Sequence, residues 1–330
     1  MLKIQDIKQI ELELSSICNA SCPLCPRNLF GYDTDLGYQK RNLTLEEIKT
    51  ILNKDFLSQL NFAKFEGNLG DPLANPEILK ITDYLALPVK CVTNGNFKNK
   101  KFWNEFATRE TIVEFGIDGF DQETHTRYRK GTNLKNILKN AETYINAGGD
   151  AIWKMIKFDF NEDQIEKCKE LAENMGFSNF NVVDHGRNSG PVFDSTGKLI
   201  DVIGNFNGSL DFQHYFNLYN SGEMLLEDID DTPCNSVSCQ SLNDKMIYIS
   251  SDGHVYPCCF MGFSPATYGK GRWHEPVNKQ LNQIIQKNNA LIYGLETCIE
   301  WFNMIEFRWK KKSFEDGRLI ICDNSCGKKC

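Results

Sequence analysis

Apolar residues recur with two different periods over the first 185 residues. Segments in which apolar and polar residues alternate, or in which apolar residues dominate, predict six strands, at 7–16, 60–66, 89–93, 111–117, 151–158 and 180–184. Segments with apolar residues three or four apart predict the intervening helices, at about 44–54, 75–87, 99–107, 121–129, 134–147 and 161–175. Thr44 and Glu47 have the spacing of a capping box at the first of these helices. The alternation of strands and helices predicts a parallel sheet, either open or curled into a barrel.

The regular alternation ends near residue 185, where the composition also changes. The next segment, up to Pro233, is rich in Gly, Asn, Asp and Ser, and we interpret it as a long connection with short elements of its own. Beyond it, apolar segments on both sides of Ser251-Asp252-Gly253 predict a β-hairpin, and a helix is predicted from Val277 to Asn288. The predicted organisation is a barrel-like core at 1–185, a linker at 186–233 and a smaller α+β domain at 234–330.

Polar or glycine-rich segments follow four of the predicted strands directly. They are the cysteine-containing segment Cys18–Cys25, then Gly67–Asp71, Thr93–Gly95 and Asp118-Gly119. The carboxyl ends of parallel strands lie at one edge of the sheet, and active residues of such folds collect there. We therefore expect these four segments to converge on one functional site.

Composition and charge limit the classes of protein to consider. The chain has 330 residues, and its 41% hydrophobic share is enough for a sizeable core. A formal net charge of −7 disfavours a protein that coats nucleic acid. The first 16 residues contain no apolar signal-peptide core, and no apolar stretch is long enough to span a membrane, so we expect a soluble, cytoplasmic protein. In a reducing compartment, 13 cysteines indicate metal or redox chemistry rather than disulfides.

The first cysteine group has a spacing that is informative by itself. Cys18, Cys22 and Cys25 are separated by three and then two residues, in a loop that contains Pro23 and Pro26. Three close thiolates can hold three irons of a [4Fe–4S] cluster and leave the fourth iron free for another ligand. Structural zinc usually takes a closed set of four ligands, as two pairs from two places. The spacing favours the cluster, with zinc as the alternative.

The segment CNASCPLC at 18–25 resembles the CxxxCxxC loop of radical S-adenosylmethionine (SAM) enzymes, with Leu24 where many members have an aromatic residue. The resemblance implies a partial (β/α)6 barrel of the TIM type over roughly residues 8–185. It implies that Cys18, Cys22 and Cys25 bind a [4Fe–4S] cluster whose fourth iron is chelated by SAM. It also implies that an electron from the cluster cleaves SAM to methionine and a 5′-deoxyadenosyl radical, which abstracts a hydrogen atom from the substrate.

Three further segments resemble SAM-contacting motifs of this family, in the expected order. Gly67–Asp71 resembles the "GGE" segment with Asp71 replacing Glu, Thr93–Gly95 resembles "TNG", and Gly116–Gly119 resembles "SIDG" with Gly116 replacing Ser. Taken singly, such segments are also typical of tight turns. The resemblance implies that SAM is bound by Gly67, Gly70, Asp71, Asn94, Asp118 and Arg129. Arg129 would pair with the SAM carboxylate, although a place on a solvated helix face is its alternative.

A second cysteine group lies after residue 230. Cys239, Gly253 and Cys258 are spaced as in the opening motif of the SPASM and "twitch" extensions of radical SAM enzymes, where the glycine supplies a hairpin turn. Eight cysteines in this region suffice numerically for two clusters, but their spacing favours one. The resemblance implies one auxiliary [4Fe–4S] cluster, bound by Cys239, Cys258, Cys322 and Cys326. Cys234 is an alternative ligand, Cys330 is interpreted as a mobile tail thiol, and structural zinc is the alternative metal.

The remaining cysteines and two histidines have simpler interpretations. We expect unligated thiols, mostly in the core, at Cys91, Cys168, Cys259 and Cys298. His125 and His254 are candidate proton donors or acceptors near a substrate, although histidines at such positions more often serve only in hydrogen bonding.

The resemblance implies an oxidoreductase-type or peptide-modifying enzyme with SAM and two iron–sulfur clusters. A peptide is the expected substrate, with a sugar or nucleoside dehydrogenase or epimerase as the alternative. The expected partner is a low-potential electron donor such as flavodoxin or ferredoxin. Cys259 stands where anaerobic sulfatase maturases have Asp, which disfavours that reaction. An iron–sulfur electron carrier without substrate chemistry and a zinc-stabilised binding module are the alternatives from other classes.

Overall fold

The computed structural model describes residues 2–25, 27–33, 38–184, 189–221, 236–266 and 275–328. All six strands predicted for the first 185 residues are present, as β1 (Gln9–Leu12), β2 (Phe62–Phe65), β3 (Val89–Thr93), β4 (Thr111–Gly116), β5 (Asp150–Ile156) and β6 (Asn179–Val183). β1 is shorter than predicted because the chain beyond it turns towards another segment. Ser15 bridges to Asn42, and the Ser16 amide donates to the carbonyl of Arg41.

The helices of this region also lie close to their predicted positions. They are α1 (Leu45–Ile51), α2 (Lys54–Ser58), α3 (Ile78–Leu85), α4 (Lys100–Phe106), α5 (Gln122–Tyr128), α6 (Leu134–Asn146) and α7 (Ile165–Met175). The capping box predicted at Thr44 and Glu47 is confirmed, because each side chain bonds the other residue's backbone amide. Asn or Asp side chains accept from the first turns of α2, α4, α5 and α6 in the same way.

The order of the strands confirms the predicted fold class. β1 to β6 lie side by side in sequence order, and every neighbouring pair among them is parallel. An open doubly wound sheet would reverse its strand order at a switch point, whereas consecutive order is the winding of a (β/α) barrel. β6 does not pair with β1, so the architecture is a partial (β/α)6 barrel.

The predicted hairpin near residue 250 is confirmed, and it extends the barrel sheet. β10 (Met246–Ile249) and β11 (Val255–Tyr256) are antiparallel, and Gly253 occupies the turn with a φ of +84°. β10 then pairs in parallel with β1, from Gln9 opposite Met246 to Leu12 opposite Ile249. The sheet therefore has the order β11-β10-β1-β2-β3-β4-β5-β6 within the described residues.

The predicted long connection contains regular structure where it is described. β7 (Gly190–Phe193) and β8 (Leu199–Ile203) form an antiparallel hairpin, and α8 (Phe212–Ser221) follows. Their aromatic side chains pack with Phe30 and Tyr32, which belong to the segment after the first cysteine group. This connection therefore covers the cysteine loop with a second apolar cluster.

Short elements complete the C-terminal region. They are β9 (Ser236–Val237), α9 (Gln240–Asn243), α10 (Cys259–Ala266), α11 (Glu275–Ile284), α12 (Ala290–Tyr293), α13 (Leu295–Ile299), α14 (Asn303–Trp309), α15 (Ile320–Cys326) and β12 (Gly327–Lys328). β12 pairs with β9, which holds the end of α15 beside the start of this region.

The two faces of the barrel sheet differ in polarity. Ile10 and Leu12 of β1 face the helices and are fully buried in the main core, so Glu11 between them faces the concave side. On that concave side, Glu114 pairs with Lys90 at 2.6 Å and with Lys154 at 2.9 Å. The inside of the partial barrel is therefore a charged surface. Among the described residues, no helix has the length and apolar character needed to cross a membrane.

Candidate active site

The first cysteine group lies in the loop directly after β1. The amide of Cys25 donates to the carbonyl of Cys22 at 2.9 Å, which curls the loop so that these two thiols interact electrostatically. The Cys18 sulfur accepts from the amide of Ala20 at 3.4 Å and from the side chain of Asn94 at 3.5 Å. Cys22 is 8% exposed, and Cys18 and Cys25 are half-buried. The structure therefore brings the three predicted ligands together at one end of the sheet.

Two guanidinium groups lie against these thiols. Burial raises the pKa of Cys18 to about 12, and Arg27 opposes that rise. Burial also raises the pKa of Cys22, and Arg129 is the largest opposing influence. Arg27 also hydrogen-bonds to Cys25 and donates to the carbonyl of Ala20. Thiolates are the form that binds iron, and nearby positive charge favours thiolates. The donor set and its charge therefore fit an iron–sulfur cluster.

Within the part of the chain that the structure describes, no three His, Cys, Asp or Glu side chains converge closely enough to share one metal ion. A [4Fe–4S] cluster makes a different demand, because each of its irons takes its own thiolate.

The glycine segment after β2 lies against the start of the cysteine loop. A Cβ atom on Gly70 would stand 2.1 Å from the carbonyl oxygen of Ser15, and a Cβ on Gly67 would stand 2.2 Å from the carbonyl oxygen of Gly70. The Asp71 amide donates to the carbonyl of Ile17 at 2.9 Å. The backbones approach each other so closely that only glycine fits at these two positions.

Asp71 joins the segment after β2 to the segment after β3. Its carboxylate accepts from the Thr93 hydroxyl at 2.9 Å, from the Asn94 amide at 2.8 Å and from the Leu73 amide at 2.9 Å. It is 4% exposed. Asp71 therefore already has an architectural function in this structure, and its contact with the SAM ammonium stays a prediction. Asn94 continues the connection, because its side chain donates to Cys18 and to Asn19.

Asp118 and Arg129 form a buried ion pair after β4. The Asp118 carboxylate is fully buried, accepts from Arg129 Nε at 2.6 Å and accepts from the Ile156 amide at 2.7 Å. Burial opposes the charge of Arg129, but Asp118 and the Cys22 thiol raise its pKa above the usual value. Arg129 is therefore not on a solvated helix face. Its guanidinium is a fixed positive charge between Asp118 and the cysteine loop.

Gly116 gives Arg129 the room that it occupies. A Cβ atom on Gly116 would stand 2.7 Å from Nη2 of Arg129. The resemblance to the "SIDG" motif predicts Ser at this position. The structure explains why this chain has glycine there instead. The absence of a side chain at Gly116 leaves the space that the guanidinium of the buried Arg129 fills.

His125 and His254 take up structural positions. His125 is fully buried, its Nδ1 accepts from the Asp118 amide at 3.2 Å, and its Nε2 lies 3.0 Å from the Thr132 hydroxyl. Burial lowers its pKa to about 4, so it is neutral near pH 7 and steadies the loop of Asp118. His254 lies beside the hairpin turn, 2.9 Å from the carboxylate of Asp252.

Glu13 is a buried acid that the sequence patterns did not single out. It lines a cavity of about 340 Å³ with Tyr38, Leu69, Asp252 and His254, among others. Its carboxylate accepts from the Leu69 amide at 2.5 Å and from the Tyr248 hydroxyl at 2.9 Å. Burial raises its pKa to about 7. The signal in the sequence was Glu11 within β1 and Glu13 directly after it, alternating with apolar residues, which places both acids on the concave face.

The raised pKa of Glu13 predicts a pH-dependent contribution to stability. A carboxyl whose pKa is higher in the folded chain stabilises the fold fully below pH 4.5, and that contribution is lost as the pH rises through about 7. The Glu13→Gln variant lacks this titration. We expect the variant to have a larger free energy of unfolding than the wild type. This difference is expected to increase from pH 5 to pH 8 and to reach about 3 kcal/mol at pH 8. Urea unfolding at both pH values measures the difference, and parallel pH profiles for the two proteins would contradict it.

The four predicted auxiliary ligands surround one cavity in the C-terminal region. Cys239, Cys258, Cys322 and Cys326 all line an open, largely apolar cavity of about 510 Å³. The Cys258 thiol interacts electrostatically with the other three. They come from four separate places, namely the start of α9, the end of the hairpin, and two turns of α15. The convergence of four thiols on one cavity fits a second cluster.

The other cysteines lie elsewhere. Cys91, Cys168 and Cys298 are fully buried in the main core, as expected. Cys259 is not among the residues that line the cavity, and it hydrogen-bonds to Glu11, near Lys64. Cys234 and Cys330 lie outside the described residues, so their predicted roles stay predictions.

Comparisons with known proteins agree with this geometry. The sequence model of the Radical SAM superfamily matches residues 12–179, which is half of the chain. No curated protein sequence matches significantly. The structure of SuiB from Streptococcus suis matches with a TM-score of 0.59 at 12% identity, over 98% of this chain and 73% of SuiB.

Two further solved structures share the fold. SuiB bound to the precursor peptide SuiA matches with a TM-score of 0.53 at 14% identity, over 96% of this chain and 76% of that chain. The protein anSMEcpe with bound AdoMet matches with a TM-score of 0.50 at 17% identity, over 76% of this chain and 74% of that chain. At such identities the likeness shows the fold alone, whereas the superfamily match extends over the strands and loops that form the candidate site. The chain therefore belongs to the radical SAM superfamily, whose members are enzymes.

Proposed function

We propose that this protein reductively cleaves SAM and abstracts a hydrogen atom from a peptide substrate. The observation that carries the proposal is the convergence of four loops on the cysteine group. Asn94 reaches Cys18, Gly70 lies against Ser15, and Arg129 reaches Cys22 from its ion pair with Asp118. Superfamily membership agrees with the same chemistry.

Cys18, Cys22 and Cys25 would hold the [4Fe–4S] cluster, and SAM would lie beside them. The bound cluster and SAM supply reductive cleavage of a carbon–sulfur bond and abstraction of a hydrogen atom. Gly67 and Gly70 let the backbone approach closely, which leaves amide and carbonyl groups accessible to the amino acid part of SAM. Arg129 offers a guanidinium for the SAM carboxylate, and Asp118 orients that guanidinium through Nε.

The residues around this site would also exclude water. The aromatic cluster formed by β7, β8 and α8 covers the cysteine loop from one side. Reactive species need an environment without competing solvent, and the chain supplies it with packed apolar side chains. The buried, neutral His125 and the tightly bonded Asp71 keep the loops in position beneath this cover.

Cys239, Cys258, Cys322 and Cys326 would hold an auxiliary [4Fe–4S] cluster. Their shared cavity and mutual electrostatic interactions support this set. Held by these four cysteines, such a cluster would supply one-electron redox chemistry close to the substrate. A flavodoxin or ferredoxin would reduce the first cluster, and the need for reduced thiolates favours a cytoplasmic location.

A peptide substrate is supported by the fold relatives. SuiB shares the fold over nearly the whole chain, and it has been solved with its precursor peptide SuiA. The charged concave face of the barrel, with Lys90, Glu114 and Lys154, offers polar groups to a peptide backbone and to charged side chains.

One anaerobic preparation tests the proposal. After reconstitution with iron and sulfide, we expect about eight irons per chain, because two [4Fe–4S] clusters bind. Addition of SAM and dithionite is expected to yield 5′-deoxyadenosine and methionine in equal amounts. A fully loaded protein that forms no 5′-deoxyadenosine would contradict the enzymatic proposal and indicate an electron carrier. A colourless protein that contains zinc and no iron would indicate a binding module.

The substrate requires a second measurement. Candidate peptides, nucleosides and sugars labelled with deuterium at carbon are incubated with the loaded protein and SAM. Transfer of deuterium into 5′-deoxyadenosine from a peptide alone supports the substrate assignment. Transfer from a sugar or nucleoside instead would overturn that assignment while leaving SAM cleavage intact.

A further inference from the structure

Trp309 presents a buried N–H group at the cavity of the C-terminal cysteines. Its side chain lines that cavity together with Cys239, Cys258, Cys322 and Cys326. The indole Nε1 is shielded from solvent and has no hydrogen-bond acceptor of good geometry within the described residues. Leaving a buried donor unpaired is energetically unfavourable, so such groups call for a partner.

The N–H lies close to one of the four thiols. The Trp309 side chain lies within hydrogen-bonding reach of the Cys322 thiol. An indole N–H is a donor only, so it favours electron-rich sulfur. Cys322 is therefore a suitable acceptor among the thiols that line the cavity.

A buried ion pair fixes Trp309 in this position. Arg318 Nε donates to both carboxylate oxygens of Asp323, at 3.0 and 2.8 Å, and its Nη1 donates to the carbonyl of Trp309 at 2.8 Å. Asp323 follows Cys322 directly in α15. Arg318 and Asp323 are each less than 10% exposed. The end of α14 is therefore tied to the helix that carries two of the four cysteines.

We propose that the indole N–H of Trp309 donates a hydrogen bond to sulfur at the auxiliary cluster site and raises the reduction potential of that site. The inference rests on the proposed function, because it requires Cys239, Cys258, Cys322 and Cys326 to bind a cluster. Hydrogen bonds to the sulfurs stabilise the reduced state, in which the sulfurs carry more negative charge. Trp309 is accordingly a residue that sets how readily this site takes up an electron.

The test compares three reconstituted proteins by a redox titration followed by electron paramagnetic resonance. They are the wild type, the Trp309→Phe variant, and the Trp301→Phe variant as a matched control. Trp301 also has a buried Nε1 without an acceptor in the described structure, but it is not among the residues that line the cavity and packs against Tyr256 and Phe302 instead. The signal of the auxiliary site is identified by its loss in a Cys322→Ala variant.

We expect the equilibrium constant for reduction of the auxiliary site to fall about tenfold in Trp309→Phe. For one electron, this change lowers the reduction potential by ~59 mV. The Trp301→Phe variant is expected to keep the wild-type potential. An unchanged potential in Trp309→Phe, with about eight irons per chain, would overturn the inference and leave the proposed function standing. About four irons in the wild type, with none lost in Cys322→Ala, would overturn the inference together with the auxiliary cluster, whereas SAM cleavage is tested separately by 5′-deoxyadenosine formation.

A measurement on the wild type covers the case in which Trp309→Phe does not take up the cluster. The protein is made with tryptophan labelled with ¹⁵N in the indole ring, and hyperfine spectra of the reduced auxiliary site are recorded. A ¹⁵N coupling supports the hydrogen bond. Its absence in a protein with both clusters loaded would overturn the inference.

Discussion

Replacement of Cys22 by alanine is expected to reduce 5′-deoxyadenosine formation to the level of a control without protein. Cys22 is the most buried of the three N-terminal thiols and the one nearest to Arg129, so no exposed residue or water can take its place easily. A cluster that lacks one of only three protein ligands does not persist. The iron content is expected to fall from about eight to about four per chain, since the C-terminal cysteines remain.

Cys168→Ala is the matched control for this experiment. Cys168 is a fully buried thiol of α7, and it packs in the main core without any role in the site. This variant is expected to keep both the iron content and the SAM cleavage of the wild type. If Cys22→Ala retained SAM cleavage, or if Cys168→Ala lost it, the assignment of the cluster to the loop after β1 would be wrong.

Replacement of Arg129 by methionine is expected to lower the free energy of unfolding by about 3–5 kcal/mol. Methionine replaces the unbranched apolar stem of arginine but carries no charge, so it leaves the fully buried carboxylate of Asp118 without its counter-ion. The change also removes the guanidinium beside Cys22. We therefore expect SAM binding to weaken together with stability. Urea unfolding and equilibrium dialysis with labelled SAM measure the two effects separately.

Arg109→Met is the control for Arg129→Met. Arg109 pairs with Asp83 at 2.7 Å, but the Asp83 side chain is 56% exposed, so water compensates for a lost partner. Its removal is expected to cost less than about 1 kcal/mol. The double variant Asp118→Asn with Arg129→Met is expected to recover part of the lost stability, because no unpaired charge remains. Equal losses for Arg129→Met and Arg109→Met would show that the Asp118 pair is not important for stability.

The sequence was sufficient for the barrel because its signals are local. Alternation of apolar residues defined β1 to β6 to within a few residues, and the capping box at Thr44 located the start of α1. The loops with conspicuous residues follow those strands, so their convergence follows from the topology of a parallel sheet. The apolar surroundings of Cys91 and Cys168 likewise placed them in the core.

Other features depend on partners that are distant in sequence. No local pattern indicates that β10 pairs with β1 rather than only with β11. The connection after β6 contains a hairpin and a helix that are stabilised by contact with Phe30 and Tyr32, and its polar composition hides them. The structure also shows contacts that motifs do not specify, such as the hydrogen bonds that already surround Asp71.

The roles of the Trp309 N–H and the Glu13 carboxyl also depend on residues that are distant in sequence. Tryptophan and glutamate are common residues, and their importance comes from burial and from which neighbours they meet. Such properties arise only when the chain is folded. By contrast, the replacement of a motif serine by Gly116 was visible in the sequence, but its reason, the space taken by Arg129, was not.

The pairing of β10 with β1 has a consequence for how the protein acquires its structure during synthesis. β1 leaves the ribosome long before β10, the strand that covers one of its edges and that begins at Met246. Until then, β1 has an unpaired edge that can associate with other chains. Contacts between such distant residues form slowly. The nascent chain is therefore exposed to aggregation until β10 has been synthesised, and a shortened chain that ends before Met246 would keep that exposed edge permanently.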